Sequence, residues 1–450
     1  MNHNYSKFIK LTIFLFAGMI VLQSCTKDIA KEPEFGAGDY PRIFYMGDRF
    51  PAALIINEGD TAVYDNLKYS PAGKVKIDWY VNDDILSHDT TFDFVPTTGG
   101  EFKIKLAVTY NGLTSVRTSE VLVKPSSYIR KDFPKVVMGY LSADGVAADV
   151  QWNHITDLAV QMGRVSADGS LDVTRGNTNQ LMDELVARGH NRGIPVILGI
   201  YGRITPVDGW ALYGSDDMGP ALRDPAKRAG LVAQLKQYIT DTKLDGVDVM
   251  FTDFNGAADY SASLAALGPF VSELKAVLPT GNIVTVTVTP GWQHWEYPDL
   301  SAADWVNVHA YEDGVHVGPG APVGQASSLD YMTTTADIWK NFHLPANKIV
   351  VGFPVFGLRY NELDGDGNNL SWGSYDYISY KDILAIDPTA DSKEMINSAQ
   401  GIYYNGIPLI KQKADYIKAS DFKGMYGWYI DADATDSTKS LFKTAFDILN

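Results

Sequence analysis

The stretch Leu244-Asp245-Gly246-Val247-Asp248-Val249-Met250-Phe251-Thr252-Asp253 decides the fold of this chain. Its first eight residues predict a buried strand: they are few, rich in Val and Phe, and follow a long amphipathic segment. Thr252, Asp253 and Asn255, closed by Gly256, form a polar cluster that marks the strand's end. Side chains alternate along a strand, so Asp248, Met250 and Thr252 share one side and Val247, Val249 and Phe251 the other. An acid inside an apolar strand is costly to bury unless its oxygens find partners. Capping of the next helix suits Asp253 better than Asp248.

Working outward, short apolar runs alternate with helical segments after the Pro- and Ser-containing linker at residues 126–134. The runs are Val136–Leu141, Ile155–Met162, Ile194–Ile200, Leu244–Phe251, Ile283–Val288, Trp305–Ala310, Ile349–Val355 and Met425–Ile430. Amphipathic segments such as Thr178–Arg188, Pro225–Thr242 and Ala262–Val277 lie between them. Eight such repeats in about 315 residues predict an α/β fold, a (β/α)₈ TIM barrel over residues 135–450. An open doubly wound sheet is the pattern's other reading, but no Gly-rich phosphate fingerprint follows the first run. The seventh and eighth runs are separated by about 70 residues, too many for a structureless loop. Within that interval Asp364-Gly365-Asp366-Gly367-Asn368 has a calcium-loop look, yet Asn369 and Tyr375 stand where that motif needs Gly and Glu. An exposed turn is expected there, with no metal and no cofactor.

Upstream, residues 40–125 have a period of two. Phe102, Ile104, Leu106 and Val108 alternate with polar residues, as do Val75, Ile77 and Trp79, and Asn111-Gly112 signals a turn. This predicts a small all-β sandwich, similar to the immunoglobulin-like or PKD modules of secreted carbohydrate enzymes, serving as a spacer. Residues 1–24 predict a signal peptide: Lys7 and Lys10 precede an apolar run shorter than the roughly 20 residues that span a membrane. Leu22-Gln23-Ser24-Cys25 resembles a bacterial lipobox, so Cys25 is the expected lipidation site. The expected location is the outer membrane or cell surface, with residues 25–39 as a tether. Cys25 is the only cysteine, which leaves no internal disulfide. A net charge of −16 argues against nucleic acid and against an anionic membrane surface.

Asp245, Gly246 and Asp248 match the fourth-strand signature D-G-x-D-x-D-x-E of glycoside hydrolase family 18, the chitinases and endo-β-N-acetylglucosaminidases. Residues 135–450 resemble that family. Gly139-Tyr140 is similar to its G-Y opening, and Gly199-Ile200-Tyr201-Gly202 stands where it has S-x-G-G. His309-Ala310-Tyr311-Glu312 resembles M-x-Y-D, and Gly352–Gly357 resembles G-L-P-x-Y-G. Gly427-Trp428-Tyr429 resembles the family's eighth-strand ending, whose tryptophan floors a sugar subsite. The resemblance implies a small α+β insertion at about residues 358–423. It also implies a carbohydrate site made of Tyr140, Tyr201, Asp248, Thr252, Tyr311, Glu312 and Trp428. Trp292, Trp295 and Arg359 are lesser candidates. Aromatic rings with nearby carboxylates suit a sugar, which has apolar faces and polar edges.

Two departures from the signature govern the expected function. Met250 stands where the third Asp belongs and Thr252 where the catalytic Glu belongs. In the family the Glu protonates the leaving oxygen while the substrate's acetamide attacks, held by the neighbouring Asp. A threonine is no general acid near neutral pH. The resemblance therefore implies a catalytically silent, lipid-anchored surface protein. It would hold N-acetylglucosamine-containing glycans, chitin oligosaccharides or N-glycans, for neighbouring glycan-degrading or transport proteins. The alternatives are an active hydrolase using Asp253 or Glu312 as a non-standard acid, and a scaffold that binds only proteins.

Overall fold

All eight apolar runs become parallel strands: Val136–Leu141, Asp157–Val165, Val196–Tyr201, Gly246–Phe251, Ile283–Val288, Trp305–Val308, Ile349–Pro354 and Gly424–Trp428. In this computed structural model the described residues are 40–45, 47–202, 218–251, 260–288, 294–342 and 344–450. They form two units. One comprises the described residues up to Leu54 with Thr61–Phe94 and Phe102–Val121. The other comprises Ile55–Asp60, Val95–Glu101 and Leu122–Asn450.

The second unit is a closed barrel. The first strand pairs with the second (Met138 with Asp157) and also with the eighth (Val136 with Gly424), so the sheet has no free end. Closure rules out the open doubly wound sheet. Most of these strands are buried along their whole length, as a parallel sheet covered on both faces requires. Val247, Val249 and Phe251 belong to the outer core with Leu231, Leu235 and Phe270 of the surrounding helices. Met250 belongs to the inner core with Tyr140, Ile197, Trp305 and Tyr311. The alternation read from the sequence thus separates the barrel's inside from its outside.

Helices Met182–Asn191, Pro225–Thr242, Leu267–Val277, Leu329–Lys340, Ile407–Ala419 and Leu441–Leu449 surround the barrel. Local chemistry sets their ends. Asp224 caps the second, accepting from the amides of Ala226 (2.8 Å) and Lys227 (3.3 Å), and Pro225 fills a position that needs no donor. Lys243 ends that helix in the left-handed region, φ 58°. After the first and fifth strands only short 3₁₀ turns stand among the described residues, where the repeat pattern led us to expect helices.

Between the seventh and eighth strands lies an antiparallel sheet, ordered Tyr375–Ser379, Phe356–Tyr360, Ile402–Tyr404 and Met395–Ile396, with helix Tyr380–Ile386. This α+β insertion begins two residues earlier than expected and ends sooner, because helix Ile407–Ala419 packs against barrel helices Leu441–Leu449 and Leu329–Lys340. Arg359 grips Asp376 of the adjacent strand with two hydrogen bonds (2.8 and 2.6 Å). Its guanidinium serves this sheet and is not free for a ligand. Asp364 folds its carboxylate onto the amides of Asp366 and Asn368, both at 2.9 Å, which makes an ordinary turn.

Upstream of the barrel, Ala53–Asn57, Leu113–Lys124, Gly100–Tyr110, Lys76–Val81 and Asp84–Ser87 lie side by side in that order in one five-stranded sheet. Two short strand pairs lie in the N-terminal unit. Trp79 and Tyr64 are fully buried, with the Trp79 ring stacked 5.2 Å from Phe92. Asn111 and Gly112 both take positive φ, 48° and 76°, which gives the two-residue hairpin turn their sequence predicts.

Residues of the expected linker are anchored: the Tyr128 hydroxyl donates to Asp245 (2.7 Å) and Arg130 pairs with Asp157 (2.7 Å).

Gly246 shows how little slack the barrel has. A Cβ there would lie 1.9 Å from the Ile283 carbonyl oxygen. Gly246→Ala is expected to cost about 1–3 kcal/mol or more in urea unfolding, as overpacking against backbone does. Gly230→Ala, on an exposed helical position with nothing within 4 Å, should instead stabilise by up to about 1 kcal/mol.

Candidate functional site

The barrel interior is organised on one carboxylate. Asp248 is fully buried. Its Oδ1 accepts from Thr285 Oγ1 (2.5 Å) and Asn307 Nδ2 (2.9 Å), and its Oδ2 from Tyr140 Oη (2.5 Å) and Thr287 Oγ1 (2.9 Å). The donors come from the first, fifth and sixth strands. Register explains the convergence: Thr285 is paired with Asp248, Met250 with Thr287, and Thr287 with Asn307. Trp305 donates its indole N–H to Asn307 Oδ1 at 2.9 Å, which orients that amide. Burial raises the Asp248 carboxyl above its ordinary range, and the four donors pull it partly back. Burial and the adjacent carboxylate push the Tyr140 hydroxyl well above the usual tyrosine range.

The expected carbohydrate residues divide by depth. Tyr140 and Asp248 are fully buried, Tyr311 is 4% exposed and Met250 6%. Tyr140 and Asp248 therefore lie beneath the accessible surface of the barrel interior. Trp428 is partly exposed and its ring lies 5.0 Å from that of Tyr140 and 4.1 Å from that of Tyr429. The Trp428–Tyr429 peptide bond is cis. Tyr201, also partly exposed, accepts from Arg164 Nε at 2.5 Å. These rings border the inner apolar cluster in which Met250 sits.

Glu312 takes a left-handed backbone conformation, φ 62°. Its Oε1 accepts from the Tyr377 hydroxyl (2.5 Å), and its Oε2 lies 3.5 Å from His309 Nε2. The barrel loop is thereby tied to the insertion, and the carboxylate proposed as a backup acid already has a partner. Among the described residues the buried His309 Nε2 makes no hydrogen bond. Gly352 faces Tyr426 and Tyr311, and a Cβ there would lie 2.7–2.8 Å from their rings.

Asp245 lies at the other end of the strand and is structural. It accepts from Tyr128 Oη, from His190 Nε2 (2.9 Å) and from the Val196 amide (2.7 Å). Thr252, Asp253, Trp292 and Cys25 lie outside the described residues. Trp295 is 61% exposed beside His294. Among the described residues no three His, Cys, Asp or Glu side chains are grouped to hold a metal.

Sequence reasoning missed Thr285, Thr287, Asn307 and Tyr377. The first three carried a signal, since Ile283-Val284-Thr285-Val286-Thr287-Val288 and Trp305-Val306-Asn307-Val308 place polar residues on one face of otherwise apolar strands. Tyr377 carried none, because it comes from the insertion.

The model of the glycosyl hydrolases family 18 matches residues 128–433, more than half of the chain. The chain belongs to family 18. Solved structures agree in fold. A chitinase from Bacteroides thetaiotaomicron is 22% identical, with TM-score 0.56 over 70% of this chain and 96% of that one. A chitinase-like agglutinin from Robinia pseudoacacia is 17% identical (TM-score 0.54; 70% and 100% covered). A plant class V chitinase mutant from Cycas revoluta, in complex with (GlcNAc)3, is 16% identical (TM-score 0.57; 70% and 100% covered). At these identities the likeness shows the fold alone. The chain spans less than two thirds of the length of the curated chitinase relatives it matches at 22% identity.

A raised Asp248 pKa means the folded family 18 barrel holds that proton more tightly than the unfolded chain does. The carboxyl therefore favours folding below its ordinary pKa of 3.8, and this contribution is lost as pH rises through the folded value. Asp157 and Asp433 are buried and raised in the same sense, so the comparison must be with a variant. Asp248→Asn is expected to become more stable relative to the parent as pH rises from 3.8 through the folded pKa. Denaturant titrations at several pH values measure this; a constant difference would contradict it.

Proposed function

We propose that this family 18 barrel binds N-acetylglucosamine-containing glycans, chitin oligosaccharides or N-glycans, without hydrolysing them. The observation that carries the reading is Met250. It faces the barrel interior in the row of Asp248, at the position of the signature's third Asp, and packs in an aromatic-rich apolar cluster. A thioether carries no charge with which to hold an acetamide or steady a developing cation. With Thr252 in the position of the acid, the roughly 10²–10⁴-fold that general acid catalysis contributes is also missing. The Trp428 and Tyr201 rings remain partly exposed at the inner cluster and suit a sugar's apolar face, while Asp248 and its donors hold the interior beneath them. The relatives support both halves of this reading: one is an agglutinin by name, and another was solved with (GlcNAc)3.

The test is calorimetry and turnover on labelled chitin oligomers and N-glycans. Binding without turnover is expected, and Trp428→Ala should weaken binding by more than about 1 kcal/mol, the scale of a lost aromatic contact. Paired substitution Met250→Asp with Thr252→Glu should restore more hydrolysis than either change alone, because such residues act as a unit. Turnover by the unmodified chain at an ordinary enzyme rate would overturn the proposal.

We further propose that the chain works at the cell surface, held by a lipid on Cys25. The support is the lipobox-like Leu22-Gln23-Ser24-Cys25 after a short apolar run. Cys25→Ala should move the protein from the membrane fraction to the soluble fraction. Retention in the membrane after signal cleavage would mean a different anchor.

A further inference from the structure

The N-terminal unit carries a groove that the barrel's site does not explain. Residues 40–44 form one wall and residues 114–117 the other, enclosing about 600 Å³. Among the described residues strand Arg42–Phe44 pairs only with Lys68–Ser70, in a two-stranded sheet. Ile43 is buried, so alternation turns Arg42 and Phe44 outward. Ser115 Oγ donates to the Pro41 carbonyl and ties the two walls together. Tyr40 is 41% exposed, Phe44 49% and Val116 44%, a cluster of large apolar groups on one small surface.

The charge of this groove is unlike that of the chain. Two of the nine lining residues are arginines, Arg42 and Arg117, and none is an Asp or Glu, although the chain carries a net −16. Among the described residues the Arg42 guanidinium has no hydrogen-bond or ion-pair partner. Arg117 reaches only the carbonyl of its neighbour Val116, at 3.0 Å.

We propose that this groove binds an acidic oligosaccharide, a run of uronate or sulfated sugars. A guanidinium matches a carboxylate or sulfate with two parallel hydrogen bonds. The rings of Tyr40 and Phe44 offer faces for the apolar sides of sugar rings. Five extended residues span about 16 Å, room for a short run of sugars. An acidic peptide fits less well. It would dock by adding a strand, but Pro41 has no N–H to offer and its carbonyl is already taken by Ser115. The surplus of negative charge elsewhere repels a polyanion, which confines binding to this groove. The choice of a saccharide rests on the family 18 carbohydrate reading; the site itself is separate from the barrel.

The experiment measures the purified chain against chondroitin sulfate oligomers, alginate oligomers, neutral chitohexaose and poly-glutamate at low salt. Binding of at least one acidic oligosaccharide is expected, at least tenfold weaker for Arg42→Ala with Arg117→Ala and severalfold weaker for Phe44→Ala. Chitohexaose binding should be unchanged in these variants, and Trp428→Ala should show the reverse pattern. The Arg42, Phe44 and Arg117 side chains are exposed, so thermal melts of their variants should match the parent. No binding of either acidic oligosaccharide at millimolar concentration would overturn the proposal. So would poly-glutamate binding as tightly at the same residues, or an equal loss on Lys131→Ala with Lys423→Ala, two lysines of the barrel unit outside the groove, which would mean diffuse charge. Loss of chitohexaose binding alone, in the parent chain, would sink the barrel reading and leave this one standing.

Discussion

One buried carboxylate constrains the rest of the barrel. An ionised Asp248 away from water would cost several kcal/mol if left alone. The fold offsets this with four uncharged donors rather than with a cation. Such an arrangement demands that the first, fifth and sixth strands present Tyr140, Thr285, Thr287 and Asn307 at one level. A one-residue slip in any of them would turn its donors to the outer face. The register of the barrel and the satisfaction of Asp248 are therefore a single requirement. The interior cluster that includes Tyr140 is aromatic, with Tyr311, Tyr426 and Trp305, and Met250 sits in it, where a second charge would need its own set of donors.

The opposite end of the barrel uses polar side chains differently. Thr156 accepts from the Val137 amide (2.9 Å), Asp245 from the Val196 amide (2.7 Å) and Asp304 from the Val284 amide (2.7 Å). In each case the side chain precedes one strand and satisfies an amide at the start of its neighbour, a donor that would otherwise lack a partner. Tyr128 and Arg130 add to this layer from the segment before the first strand. The acids of the signature stretch thus have separate tasks. Asp245 closes the base of the sheet, and Asp248 holds the interior beneath the candidate site.

The insertion completes the upper rim. Tyr377 reaches Glu312 from a sheet that is antiparallel within itself, and Arg359, which could have met a ligand, is consumed by Asp376. Carboxylates and cations at a rim compete between ligand and neighbour, and a short bidentate pair settles that competition locally.

Much of this was legible in the residues. Hydrophobic periodicity located all eight barrel strands, because a parallel strand buried on both faces must be short and apolar throughout. Alternation put Asp248 and Met250 on the inner face and Val247, Val249 and Phe251 on the outer one, because that rule is local to the backbone. Three things were decided only in three dimensions. The partners of Asp248 lie on strands 37–108 residues away in sequence, and nothing local selects them. Tyr140, which the family pattern suggests as a sugar contact, is sealed beneath the surface, because its hydroxyl is the donor that Asp248 requires. Arg359 and Glu312 found their partners across strand pairing and loop contact within the insertion and its rim, which depend on register that composition and spacing do not encode.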